Sequence, residues 1–159
     1  MSAVPERLDD KPSFDIVATV RSFEASEFDP GKFDHEAHVR IAWCYLQQYP
    51  PALAIARFTA ALRTLTQRIG MPQKYHETLS WFFMIVIADR CAQSPTKGWD
   101  RFREDNSDLF NDATLLLKQH YSAACLGSTR ARERFVLPDL APSGMRGTIS
   151  PEQSPGNNA

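Results

Sequence analysis

Between Leu79 and Ile87 the chain runs through nine residues of which only Ser80 is polar, and no other stretch restricts the fold so strongly. A helix lying on a protein surface turns a polar face to water, and this segment has none to offer. It is therefore expected as a buried central helix, running from about Gln73 to Gln93, with the rest of the chain packed around it. Ionisable groups sit at its first turn, where Tyr75-His76-Glu77-Thr78 leads straight into the apolar run. A second polar cluster, Asp34-His35-Glu36-Ala37-His38, opens another apolar stretch, and three of the four histidines fall in these two clusters.

The apolar run from Trp81 to Ala88 is far below the roughly 20 residues of a membrane-spanning helix. Its N-terminal leader, MSAVPERLDDKPSFD, lacks the apolar centre of a signal peptide, so a cytoplasmic protein with no membrane partner is the expectation. A chain of 159 residues with 43% hydrophobic and 23% charged residues suits one globular domain with a real core. With a net charge of −1 and its Lys and Arg scattered, it has no electrostatic reason to bind nucleic acid. Cys44, Cys91 and Cys125 are odd in number and widely spaced, which argues against a disulfide framework or a cysteine zinc site and for small reduced packing residues.

In chain order, residues 1–12 read as a flexible polar leader. Phe14, Ile16, Val17, Val20 and Phe23 recur at helical spacing after Ser13, a candidate cap, with a strand as the minority reading of the β-branched residues. Asp29-Pro30-Gly31 stops that element. Asp34 is positioned to cap a helix from His35 to about Tyr49, and Pro50-Pro51 breaks it. A third helix, Ala52 to Ile69, ends at Gly70, and the short link after it makes the third and fourth helices antiparallel neighbours. Beyond the central helix, short helices are expected near Trp99 to Arg103, from Ser107 or Asp108 to about Tyr121, and from Thr129 to Arg134. No alternating pattern sustains a sheet, so the fold is an all-α, single-domain helical bundle of five to seven helices over 13–140, with a disordered tail over 141–159.

His35 and His38, three apart, project about 60° apart around a helix axis and one turn along it. Both can address one ion, and imidazole suits Fe, Zn, Mn or Cu. His76 and Glu77 complete a candidate ligand set if the second and fourth helices lie side by side and roughly parallel. Glu77 is also the candidate general base and Tyr75 a candidate proton donor. The spacing matches neither the zincin motif nor the paired carboxylate-histidine motifs of di-iron bundles. Asp34 and the glutamates also have simpler roles, as a cap and as charges at the positive ends of helices. His120, at a helix end, is a weaker candidate. Trp81, Phe82, Phe83 and Met84 read as core, and Arg130 to Arg134 as a solvated helix face.

Taken together, Phe33-x-His35-x-x-His38-x-x-x-Ala42-Trp43-x-Tyr45-Leu46, Tyr75-His76-Glu77-Thr78, Tyr121-Ser122 and Ala131-Arg132-x-x-Phe135-Val136-x-Pro138-Asp139-Leu140-x-Pro142 resemble a family of small bacterial all-helical proteins of uncharacterised function. The resemblance covers about residues 14–142 and implies that these residues belong together. Two functions are open at this point. One is a helical protein holding a divalent transition metal on His35, His38, His76 and Glu77, an enzyme acting on a small molecule. The alternative is a metal-free module that binds a small ligand or a protein through the same His and Tyr cluster.

Overall fold

The structure, a computed structural model, describes residues 14–95 and 98–140. The leader over 1–12, the Ser13 cap, Pro142 and the tail over 141–159 lie outside the described residues. Within them the chain is helical throughout: α1 (Ile16–Glu24), α2 (His35–Gln48), α3 (Pro51–Arg68), α4 (Glu77–Gln93), α5 (Trp99–Asp105), α6 (Asp108–Asn111), α7 (Ala113–His120), α8 (Ala123–Leu126) and α9 (Thr129–Glu133), with single 3₁₀ turns at Pro30–Lys32 and Pro72–Lys74. No strand occurs among the described residues.

Local chemistry sets most of these boundaries. Asp15 caps α1 through a bond from the Ala18 amide, and Asp34 caps α2 by accepting the Ala37 amide at 2.8 Å. Pro51 takes the first position of α3, where no amide hydrogen is required. Gly70 follows α3 at φ +70°, the left-handed conformation that a side chain resists. The central helix starts four residues later than periodicity suggests. Pro72 to Lys74 form a separate 3₁₀ turn, Tyr75 is extended, and His76 is the cap of α4. The expected helix from Asp108 to Tyr121 is broken at Asp112, whose backbone leaves helical geometry, into α6 and α7.

α4 packs on α2, α3 and α9, and α2 also packs on α1 and α3. Arg63, late in α3, bonds Glu77 at the start of α4, while Pro51 at the start of α3 shares a hollow with Cys91 and Ala92 at the end of α4. The two helices are therefore antiparallel. α2 and α4 run the same way: His35 meets Phe83 at one end, and Gln47 meets Cys91 at the other. Met84 and Ile87 of α4 join the main core, whereas Phe82 and Phe83 form a second cluster with Tyr121. α4 is not covered on every side, because Ile85 is 43% exposed. No helix among the described residues is long and apolar enough to cross a membrane.

The last described segment, α9 and the residues after it, is stitched back onto the start of α4. Thr78 is fully buried, and its hydroxyl serves the carbonyls of Ala131 at 2.7 Å and Arg134 at 3.0 Å while accepting the Val136 amide at 3.2 Å. Arg132 donates to the Gln73 carbonyl at 2.7 Å. Tyr121 donates to the Val136 carbonyl, and the Asp139 carboxylate accepts from both the amide and the hydroxyl of Ser122. Thr78→Val keeps the shape but leaves two carbonyls and an amide without partners, so it should destabilise the fold by about 1–3 kcal/mol. Urea unfolding measures this, and an unchanged midpoint would contradict the stitch.

Candidate functional site

The starts of α2 and α4 and the end of α3 enclose a cavity of about 340 Å³. Its walls are apolar where α3 and the residue after it contribute Leu62, Leu65 and Ile69, where α4 contributes Leu79 and Phe83, and where Pro30 and Phe33 cover it from the loop before α2, with Thr66 and Ser80 as polar members. The three histidines of the two sequence clusters, His35, His38 and His76, all border it, with Lys74 at the rim. His35 and Phe83 also border a second cleft, of about 670 Å³, along α6 and α7.

Each histidine is held differently. A carbonyl can only accept, so the 2.7 Å contact between His35 Nε2 and the Leu109 carbonyl is an N–H donation from the ring. Just before Leu109 in the chain, Arg90 donates to Asn106 at 3.0 Å and pairs with Asp108 at 2.7 Å. The guanidinium keeps the Asp108 carboxyl below the usual carboxylate range. His38 lies between two aromatic rings, stacked on Phe33 at 5.4 Å and tilted against Phe58 at 5.2 Å. Its Nε2 is sealed from solvent and has no hydrogen-bond partner among the described residues. Burial, and then the neighbouring His35, lower its pKa from 6.5 to about 4, so the ring is neutral at pH 7.

His76 has both nitrogens engaged. Nδ1 accepts the Leu79 amide at 3.3 Å as the cap of α4, and Nε2 therefore carries the proton it gives to the Leu126 carbonyl at 2.9 Å. One ring thus ties the start of α4 to the end of α8.

Tyr75 and Glu77 do not border this cavity. The Glu77 carboxylate accepts from Arg63 at 2.6 Å, from the Tyr75 hydroxyl and from the Trp81 indole at 2.9 Å. Tyr75 carries the Arg63 guanidinium over its ring at 4.8 Å. Burial and the adjacent Glu77 carboxylate push its hydroxyl up to about 12. His120 lies against Phe82 at 5.3 Å, does not border the cavity, and its carbonyl accepts the Leu140 amide. Among the described residues no group of three or more His, Cys, Asp or Glu is arranged to hold a metal ion. The three cysteines are free, and burial pushes the Cys44 thiol up to about 12 and Cys91 to about 11.

Reading the sequence alone passed over Lys74 and took Phe83 as core rather than as part of a cavity wall. Phe33 appeared as the first position of the histidine motif, and its stacking on His38 gives that spacing a physical reason. Comparison of the chain with models of protein families, with curated proteins and with solved structures finds no match, so the family resemblance rests on the quoted motifs alone.

His38 stays neutral in the fold, whereas the unfolded chain takes up a proton there below about pH 6.5. This contribution to stability is complete above that pH and is lost as the pH falls toward 4. Between about pH 7.5 and about pH 4.5, the wild type should lose about 2–3 kcal/mol more stability than His38→Phe. Urea unfolding at the two pH values measures the difference, and equal losses would contradict the buried neutral ring.

Proposed function

We propose that this protein is a small-molecule-binding helical module, and that its ligand is an organic molecule with an apolar body seated between α2, α3 and α4. The observation that carries this reading is the meeting of three histidines, from segments about forty residues apart in the chain, on one cavity whose other walls are mostly apolar. Ligand sites have this composition, largely apolar with a few polar groups, and span about 300–1,000 Å³, a range that takes in the 340 Å³ here. A neutral His38 favours hydrogen bonding over strong base catalysis. The three free cysteines accord with a reducing, cytoplasmic setting.

A divalent metal on the same histidines asks more of the fold. His76 would have to release the Leu79 amide or the Leu126 carbonyl, and Glu77 would have to leave Arg63, Tyr75 and Trp81. The metal-free reading leaves all of these bonds in place.

A fragment screen by thermal shift and NMR should yield binders that perturb His35, His38 and Leu65. Leu79→Trp, which fills the cavity from a half-buried position, should weaken them at least about ten-fold. Hits that bind Leu79→Trp as tightly as wild type would contradict the reading. So would stoichiometric metal that is lost in His76→Ala while the helical circular dichroism is kept.

A further inference from the structure

The ionisable groups bordering the cavity are all of one kind. They are the imidazoles of His35, His38 and His76 and the ammonium-bearing Lys74, and no aspartate or glutamate is among the bordering residues. In this the cavity differs from the neighbouring cleft, where Asp112 stands with Lys118. Of the carboxylates at the starts of α2 and α4, Glu77 pairs with Arg63 at 2.6 Å and Glu36 with Arg103 at 2.9 Å, while Asp34 accepts the Ala37 amide at 2.8 Å as the cap of α2. Among the described residues the Lys74 side chain makes no ion pair or hydrogen bond, so its ammonium is free at the rim of an apolar chamber.

A cationic ligand would bring its charge beside Lys74 into a site with no bordering carboxylate to balance it, which is costly away from water. A wholly apolar ligand would leave the Lys74 ammonium unused. A molecule with an apolar body and one carboxylate satisfies both parts, its body against Leu62, Leu65 and Phe83 and its anion beside Lys74 in a charge-assisted bond. We infer that the ligand of this cavity is a small apolar monocarboxylate, with Lys74 as the residue that selects its charge. This rests on the reading of the cavity as a ligand site.

Three probes of nearly equal shape separate the charge from the body: phenylpropanoate, phenylpropanamide and phenylpropylamine. Calorimetric titration of the full chain should find the carboxylate bound about ten-fold more tightly than the amide, and the amine more weakly than either. Lys74→Gln should remove the preference for the carboxylate over the amide, while Lys74→Arg should retain it. Because Lys74 is exposed, these variants should fold as the wild type does. Equal binding of carboxylate and amide, or a preference that survives Lys74→Gln, would overturn the inference and leave the ligand site standing. Failure of all three probes to bind would also overturn it. The reading beneath falls separately, when ligands found in the wider screen are indifferent to Leu79→Trp.

Discussion

The imidazole of His76 is the junction on which the rest of this structure depends. Its Nδ1 takes the place of the oxygen that usually caps a helix, and its Nε2–H reaches the carbonyl at the end of α8. The start of the central helix, the end of α8 and one wall of the cavity are therefore tied together by a single ring. The residues beside it extend the junction in other directions. Glu77 ties α4 to α3 through Arg63, and Thr78 ties it to the segment after α9. Tyr75-His76-Glu77-Thr78 acts first as a set of connections, and its contribution to the cavity comes through His76.

That division clarifies what the cavity offers chemically. His76 presents a ring whose nitrogens are committed, and His35 has committed one of its two to Leu109. His38 is neutral and packed between Phe33 and Phe58, with one nitrogen sealed. What remains for a ligand is a broad apolar wall, a few imidazole edges and an uncommitted ammonium at the rim. Such a site recognises shape and one charge, and a low-dielectric wall strengthens that one charge's effect.

Much of the fold was legible because it rests on short-range chemistry. The apolar run of α4, the Asp34 cap, the double proline and Gly70 each act within a few residues, and the all-helical architecture follows from them. The start of α4 was misjudged because histidine is an unusual cap, and because the 3₁₀ turn at Pro72 to Lys74 looks helical by composition. In the site, the grouping of His35, His38 and His76 was readable from their places at the starts of two helices. The commitments of Glu77 and Tyr75 were not, since Arg63 lies fourteen residues from Glu77 and nothing local announces the pair. The role of Lys74 was hidden for the opposite reason: an exposed lysine in a linker looks like any other until the chamber beside it is known.

Nitrogen-15 NMR of the histidine side chains, recorded on tag-free protein at about pH 8 with and without added zinc, tests the central claim most directly, because it reads the proton on each ring nitrogen. The account predicts that His76 and His35 both carry a proton on Nε2, and that zinc leaves their nitrogen resonances where they were. A His76 ring with its proton on Nδ1, or nitrogen resonances of the three histidines moving together to metal-bound positions, would contradict it.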